Sequence, residues 1–229
     1  MSKQKGELYR FRPLNEFTLN EIATNQLWFS KLSHLNDPCE GMIKINANTI
    51  DPFELADPCV CCFTQKPYSL PMWTHYADNH RGVCLIYELD DSVSGILKVH
   101  YFDAPPDLRS RHWYSLGRWF SLVNWLSMAR SITAETIPFA RKSIDWKYEK
   151  EFRMVRFEPV SDPNSKGILQ QIKGVPLTAV LFGFKSEAEN HSLVNNLAPD
   201  SVEFFLASTP SDSYTLSFDA MDRSTLTSS

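Results

Sequence analysis

The sequence predicts a single α+β domain whose strands are mostly antiparallel or mixed. Three observations lead to this class. Strand-like segments outnumber helical ones, and the two kinds do not alternate as they do in βαβ folds. The third is composition, because 229 residues with 43% hydrophobic side chains can bury one large core. We expect the domain to cover residues 1–222 and a flexible polar tail to follow at 223–229.

The N-terminal part is predicted to contain two strands with a helix between them. Residues 7–11 alternate weakly between polar and apolar side chains, and residues 26–30 (QLWFS) form a second strand-like segment. Between them, TLNE at 18–21 has the pattern of a capping box, so a short helix is expected to begin there. NDPCEG at 36–41 is typical of a turn, whereas residues 42–58 show no clear pattern.

Residues 59–63 (CVCCF) are apolar and are predicted as a buried strand. Cys59 and Cys62 have the C-x-x-C spacing of a zinc site, but in a strand their side chains would point to opposite faces. The chain has no second C-x-x-C pair, so we expect buried thiols and no metal.

A helix capped by Ser69 is predicted next, and Gly82 is expected to end it. Strands at 83–89 and 96–102 follow, and then a long helical segment near residues 111–142. The apolar face of the first of these helices is predicted from residues at helical spacing: Trp73, Tyr76, Ala77 and His80. In the last third, one short helix is predicted at 187–196, and strands at 149–157, 167–172, 176–182, 202–207 and 214–218.

Overall charge and the chain start restrict the class of protein. The net charge is −4 and no long basic run occurs, so a nucleic-acid surface is not indicated, although a local basic groove stays open. The start, MSKQKGELYRF, lacks the apolar segment of a signal peptide, and no stretch is long enough to cross a membrane. Five cysteines, an odd number, favour reduced thiols. We therefore expect a cytoplasmic protein that does not bind a membrane.

The segment KYEKEFR at 147–153 raises the main question about function. Because side chains alternate along a strand, Glu149, Glu151 and Arg153 are expected on one face, with the two glutamate Cα atoms about 7 Å apart. The same face becomes apolar at Val155. Either the segment is an edge strand protected by charge, or it forms the floor of a site.

Motifs for several other chemistries are absent from the sequence. It contains no G-x-x-x-x-G-K-[ST], no G-x-G-x-x-G and no G-x-S-x-G. A metal-dependent nuclease using Asp37, Glu40 and His75 is one alternative, but no familiar metal-ligand spacing supports it.

Several short motifs occur in a fixed order along the chain. They are YRFR at 9–12, LWFS at 27–30, NDP at 36–38, CFT at 62–64, MWTHYA at 72–77, GV at 82–83, WKYEKEFR at 146–153 and VLFG at 180–183. Their order resembles a widespread bacterial family of unknown function, often found in mobile or defence-associated gene settings. The resemblance covers roughly residues 7–218 and implies no established activity.

Three of these elements also resemble the ordered motifs of ADP-ribosyltransferases, which have an early arginine, a Ser/Thr-containing strand and a late Glu-x-Glu. Here they are Arg10 or Arg12, then Thr64, then Glu149 and Glu151. The resemblance implies two packed mixed sheets that form a cleft, and NAD as the substrate.

The resemblance also implies a role for each residue. Glu151 stabilises the positive charge that develops on the ribose, and Glu149 orients or deprotonates the acceptor. Arg12 or Arg10 binds the pyrophosphate or ribose of NAD, and Arg153 holds Glu151 in place. Trp73 or Tyr76 is expected to stack near the nicotinamide, and Thr64 to bind its amide. His75, beside Tyr76, is expected to position a substrate ring or ribose.

These arguments predict an NAD-consuming, ADP-ribosyltransferase-like enzyme, a bacterial toxin or phage-defence effector with an unidentified macromolecular acceptor or partner protein. The alternative from a different class is a non-catalytic binding or regulatory module, such as an antitoxin or phage sensor. In that case Trp73, Trp146 and Tyr148 are core anchors, and residues 149–153 form a salt-bridge network.

Overall fold

The structure is a computed structural model that describes residues 6–40, 43–45, 48–50, 58–104, 138–156, 164–210, 212 and 214–226. It confirms the α+β class, because helices accompany two five-stranded sheets that are mostly antiparallel. Of the helical segment predicted near 111–142, residues 111–137 lie outside the described residues. Residues 138–142 form a short 3-10 helix and the start of a strand. Within the described part of the chain, no helix has the length and apolar character needed to cross a membrane.

Most predicted strands are present, with ends that shift by a few residues. The described strands are β1 (Gly6–Arg12), β2 (Leu27–Lys31), β3 (Ile43–Ile45), β4 (Asn48–Ile50), β5 (Cys59–Phe63), β6 (Val83–Leu89), β7 (Ile96–Lys98), β8 (His100–Phe102), β9 (Arg141–Ser143), β10 (Phe152–Arg156), β11 (Gly167–Gln170), β12 (Leu177–Phe182), β13 (Glu203–Ser208) and β14 (Ser217–Met221). The described α-helices are α1 (Glu16–Thr24), α2 (Leu70–Tyr76) and α3 (Ala188–Leu197). Short 3-10 helices cover Leu32–His34, Pro138–Ala140, Ile144–Glu149 and Arg223–Leu226.

The chain forms two compact units, and the first consists of Met1–Trp28, Cys62–Ser94 and Leu169–Ser229. Its sheet has the strand order β1-β6-β12-β13-β14, in which β12 and β13 are parallel and the other neighbours antiparallel. The inner strands β6 and β12 are buried along nearly their whole length. Burial on both faces requires continuous apolar runs, which is why these strands are easy to recognise in the sequence.

Helix α1 begins earlier than predicted. Asn15 is its N-cap, and the Asn15 side chain accepts a hydrogen bond from the Thr18 amide at 3.1 Å. Thr18 therefore lies inside the helix, and the predicted capping box at 18–21 is wrong. Glu21 is fully buried and accepts hydrogen bonds in the core instead of closing the box.

Helix α2 ends at Tyr76 and does not continue to Gly82 as predicted. The three non-glycine residues 78–80 have positive φ angles of 45°, 51° and 71°. A right-handed helix cannot continue through three left-handed residues, so His80 is not on the same helical face as Trp73. Gly82 is needed for another reason, since a Cβ atom there would lie 2.3 Å from the Arg12 carbonyl oxygen.

The second compact unit consists of Phe29–Cys61 and Gly95–Ile168. Most of the other five-stranded sheet belongs to it, with the order β11-β2-β5-β10-β7. Two small sheets are an antiparallel pair, β3-β4, and a parallel pair, β8-β9. The strand predicted at 96–102 is interrupted at Val99, whose amide donates to the Glu151 carbonyl at 2.9 Å.

The segment after residue 222 is folded where the sequence predicts a flexible tail. Arg223–Leu226 form a 3-10 helix, and Leu226 is buried. The Arg223 guanidinium donates to carbonyl oxygens at the end of α3, including those of Asn195 at 3.0 Å and Pro199 at 2.8 Å. The folded part of the chain therefore extends at least to Leu226.

Candidate functional site

The segment KYEKEFR does not form one continuous strand. Glu149 is the last residue of the 3-10 helix Ile144–Glu149, Lys150 has a left-handed φ of 47°, and β10 begins only at Phe152. The predicted strand at 149–157 is therefore wrong at its start. Glu149 and Glu151 are not neighbours on one strand face, because the tight turn at Lys150 sets their directions.

Five charged side chains form a buried cluster in the second unit, and we call it the acidic cluster. Its members and their exposed fractions are Glu40 (3%), Lys142 (9%), Glu149 (2%), Glu151 (4%) and Arg153 (0%). Three carboxylates face two cations, so the cluster has one more acidic group than basic groups. Buried charges require partners, because removing an unpaired charge from water costs several kcal/mol, on the order of 5 or more.

Arg153 connects two of the carboxylates. Its Nε and Nη2 donate to Glu151 Oε1 and Oε2 at 2.6 and 2.8 Å, which is a bidentate pair. Nη1 and Nη2 also donate to Glu40 Oε1 and Oε2 at 2.6 and 3.1 Å, and Nη1 donates to the Phe139 carbonyl at 3.1 Å. The planar guanidinium thereby fixes both carboxylates in orientation. The prediction that Arg153 holds Glu151 is confirmed.

Lys142 connects the carboxylates from the other side. Its Nζ lies 2.7 Å from Glu149 Oε2, 3.6 Å from Glu151 Oε2 and 3.8 Å from Glu40 Oε2. Burial alone lowers the pKa of Lys142, but the nearby carboxylates of Glu151 and Glu149 outweigh burial and raise that pKa. Lys142 therefore stays protonated at neutral pH.

A tyrosine completes the surroundings of Glu151. The Glu151 amide donates to Tyr101 Oη at 2.8 Å. Burial raises the pKa of Tyr101, and the charges of Glu151 and Glu149 raise it further. The phenol therefore stays neutral.

The alternative that the charged segment is an edge strand is wrong. β10 lies between β5 and β7 in its sheet. Glu149 and Glu151 are buried among cations and do not face solvent.

Both arginine candidates pair with Glu21, but they differ in exposure. Arg10 is 5% exposed, and its guanidinium donates to Glu21 Oε1 at 2.9 Å and to the Trp28 carbonyl at 2.7 Å. The Arg12 side chain is 17% exposed, and its Nε donates to Thr18 Oγ1 at 3.3 Å. Of the two, Arg12 is the one that solvent can reach more readily.

Thr64 and Trp73 are parts of the core of the first unit. Thr64 is buried, and its backbone exchanges two hydrogen bonds with Tyr9 at 2.8 and 3.0 Å. Trp73 is 0% exposed, donates from Nε1 to the Pro67 carbonyl at 2.6 Å and packs edge-on against Phe11. A ligand therefore has no access to the Trp73 ring in this conformation, and the predicted stacking by Trp73 is wrong.

His75 and Tyr76 are more accessible, at the end of α2. His75 is exposed and Tyr76 is half-buried. These two residues belong to the first unit, together with Arg10, Arg12, Thr64 and Trp73, whereas Glu149 and Glu151 belong to the second.

Sequence reasoning missed two members of the acidic cluster. Glu40 was assigned only to a turn or to a metal site, and Lys142 to the end of a helix. Glu40 is 113 residues away from Arg153 in the chain, and no local pattern indicates such a pair. Among the described residues, no group of three histidine, cysteine, aspartate or glutamate side chains is arranged to hold a metal ion.

A cavity of about 410 Å³ lies in the first unit, and none of the predicted site residues lines it. The cavity is formed by residues 200–205, 220, 221 and 223. This cavity is therefore separate from the acidic cluster. We take the acidic cluster as the candidate site because it brings several carboxylates and cations together.

Comparison with known families covers part of the chain. Residues 72–154 match a family described as protein of unknown function (DUF2971). The segment that matches DUF2971 contains the predicted motifs MWTHYA and WKYEKEFR, and four of the five residues of the acidic cluster. The predicted resemblance to a family of unknown function is confirmed over this segment. No curated protein and no solved structure is significantly similar to the chain.

Proposed function

We propose that the chain is an ADP-ribosyltransferase-like enzyme that consumes NAD, and that the acidic cluster supplies its catalytic carboxylates. The observation that carries the proposal is the excess of one carboxylate in a buried, ion-paired site. Apolar side chains of similar volume usually stabilise a core as well as buried ion pairs do, so a chemical use accounts for this cluster better than stability alone. The order of the Arg, Thr and Glu-x-Glu motifs supports NAD as the substrate.

In the proposed reaction, the bond between ribose C1′ and the nicotinamide nitrogen breaks, and its electron pair leaves with nicotinamide. Positive charge develops on the ribose, and the Glu151 carboxylate stabilises it because Arg153 holds that carboxylate in a fixed orientation. The acceptor nucleophile then forms the new bond to C1′ and transfers its proton to Glu149. No metal takes part in this scheme.

The test is the release of nicotinamide from NAD and the transfer of labelled ADP-ribose to proteins or nucleic acids of a cell lysate. We expect both activities in the wild type, and a loss of about 100-fold or more in Glu151→Gln, since removing one group that stabilises developing charge typically costs this much. Glu88→Gln is the matched control because Glu88 is exposed and lies outside the acidic cluster. The proposal fails if no nicotinamide is released, or if Glu151→Gln is as active as Glu88→Gln.

We also propose that the activity serves as a bacterial toxin or phage-defence effector. Production of the wild-type protein in bacteria is then expected to slow growth, and Glu151→Gln is expected to relieve the effect at equal protein level. Equal growth with both proteins, at equal soluble amounts, would contradict this role.

The second candidate is a non-catalytic binding or regulatory module, such as an antitoxin or phage sensor. It is favoured by the burial of Thr64 and Trp73 in the core and by the number of carboxylate oxygens that Arg153 binds. In this case Glu151→Gln lowers the melting temperature or partner affinity, and neither protein releases nicotinamide. The assay above separates the two candidates directly.

A further inference from the structure

Two aromatic side chains lie beside the acidic cluster, on the 3-10 helix Ile144–Glu149. Trp146 is half-buried, and the Lys142 ammonium lies 4.7 Å from the centroid of its ring. Tyr148 is also half-buried, with its ring centroid 6.2 Å from that of Trp146 and an interplanar angle of 40°. Both rings thus combine access from solvent with a position at the cluster.

The geometry of the 3-10 helix places Trp146 over Glu149. With about three residues per turn, positions i and i+3 of such a helix lie one above the other. Trp146 and Glu149 are separated by three positions, and Lys142 contacts both of them, with its Nζ 2.7 Å from Glu149 Oε2. The indole ring and the Glu149 carboxylate therefore share one side of the helix and one cationic neighbour, Lys142.

The charges at this place favour a cationic ligand. Lys142 lies within 4 Å of all three carboxylates of the cluster, at 2.7, 3.6 and 3.8 Å, so its own charge is compensated. The cluster as a whole still has one more carboxylate than cations. The face of an indole ring attracts cations through its quadrupole, and aromatic or quaternary cations are bound this way because they are weakly hydrated.

We infer that Trp146, flanked by Tyr148, binds a planar aromatic cation of the pyridinium class next to the carboxylates of the acidic cluster. This inference rests on the proposed function in one respect, since the nicotinamide ring of NAD is such a cation. Trp146 then takes the stacking role that the sequence assigned to Trp73 or Tyr76. Trp73 cannot take it, because its ring is fully buried against Phe11 and His80.

The test is a direct binding measurement with 1-methylnicotinamide, a pyridinium cation that has no ribose and cannot undergo transfer. Ligand-observed NMR titration gives a Kd that does not depend on tryptophan fluorescence or on turnover. We expect the Kd to rise at least 10-fold in Trp146→Ala and by a smaller factor in Trp146→Phe, which keeps a ring. Trp28→Phe is the matched control, because Trp28 is also half-buried but lies in the other unit.

The dependence of binding on the charge of the ligand provides a second measurement. Neutral nicotinamide is expected to bind at least 10-fold more weakly than 1-methylnicotinamide. If the neutral and cationic ligands bind equally, or if Trp146→Phe and Trp146→Ala bind like Trp28→Phe, the inference is wrong. A melting curve of each variant shows whether it is folded. If Trp146→Ala is unfolded, the Kd of the conservative variant Trp146→Phe tests the inference.

The inference and the proposed function fail in different ways. If 1-methylnicotinamide binds through Trp146 but NAD releases no nicotinamide, the proposed enzyme is wrong and the binding site stands. If NAD is consumed while Trp146→Ala leaves the KM for NAD unchanged, the enzyme stands and the binding site is wrong.

Discussion

At the scale of single residues, Arg153 is the side chain on which the acidic cluster depends most. It is fully buried, and its three nitrogens donate to Glu40 and Glu151 at distances from 2.6 to 3.1 Å. Its partners are carboxylates that are almost completely buried, at 3% exposure for Glu40 and 4% for Glu151. Removal of the guanidinium would therefore leave the carboxylates with Lys142 as their remaining cation in the cluster.

We expect Arg153→Ala to lower the free energy of unfolding by about 3–5 kcal/mol, because it leaves buried carboxylates uncompensated. Urea unfolding followed by tryptophan fluorescence measures the change. Arg153→Lys keeps the charge but loses the bidentate geometry, so an intermediate loss is expected. Lys150→Ala, at an exposed position, is the control and should change stability little. Equal stability of Arg153→Ala and Lys150→Ala would show that the cluster is not formed as described.

Two histidines make stability depend on pH. Burial lowers the pKa of His80, and the charge of Lys185 lowers it further; burial also lowers the pKa of His191. Because the folded-state pKa of each histidine lies below the unfolded value of about 6.5, the neutral imidazole stabilises the fold. This contribution to the free energy of unfolding is complete above about pH 6.5. This stabilisation is lost as the pH falls below about 6.5 and through the folded-state pKa values.

Denaturant unfolding between pH 7.5 and 5 checks this expectation. The free energy of unfolding should decrease as the pH is lowered, and His80→Asn should reduce the slope, since asparagine tolerates the left-handed φ of 71° at this position. A free energy of unfolding that increases toward pH 5 would contradict the prediction.

At the scale of elements, close backbone contacts occur directly before β6 and directly after β12. A Cβ atom at Gly82 would lie 2.3 Å from the Arg12 carbonyl oxygen, and one at Gly183 would lie 2.1 Å from the His80 carbonyl oxygen. Both glycines thus allow main-chain segments of the first unit to approach each other more closely than any side chain permits.

Gly82→Ala and Gly183→Ala are each expected to destabilise the protein by about 1–3 kcal/mol, since backbone atoms must move to admit the added carbon. Gly95→Ala serves as the comparison. Its φ is +83°, but an added Cβ there meets nothing within 4 Å, so only the left-handed conformation costs energy, about 1–2 kcal/mol. Thermal unfolding ranks the three variants, and a larger loss for Gly95→Ala than for both others would contradict the packing argument.

Helix α3 depends on a side chain that lies outside it in the sequence. Arg223 donates to the carbonyl oxygens of Asn195, Ala198 and Pro199, at 3.0, 3.2 and 2.8 Å, and so satisfies acceptors at the C-terminal end of the helix. A cation at this end also interacts favourably with the helix dipole.

We expect Arg223→Ala to cost about 1.5–3 kcal/mol of stability, the usual value for hydrogen bonds to a charged group. Hydrogen exchange of the α3 amides should become faster in this variant. Arg81→Ala, which removes an exposed arginine of the same unit, is the control. If Arg223 belonged to a flexible tail, both variants would have wild-type stability.

At the scale of the whole molecule, the five thiols differ in how far solvent can reach them. Cys39 is exposed, Cys62 is half-buried, and Cys59, Cys61 and Cys84 are buried. Burial also raises the pKa of the Cys84 thiol, which reduces its thiolate fraction.

A thiol reagent is therefore expected to react quickly with Cys39 in the native protein, more slowly with Cys62, and with all five cysteines only after unfolding. Cys39→Ser should remove the fast phase. Fast labelling of Cys59, Cys61 or Cys84 under native conditions would be inconsistent with the buried strands β5 and β6.

The sequence alone determined the α+β class and most strand positions. These features depend on residues close together in the chain, where alternation, apolar runs and turn chemistry act directly. Tertiary structure decided the rest. It brought Glu40 and Lys142 to Glu149 and Glu151, enclosed Trp73 in the core and left Trp146 accessible beside the carboxylates. Side-chain burial and long-range ion pairs depend on how distant segments pack, and no local periodicity of a sequence contains that information.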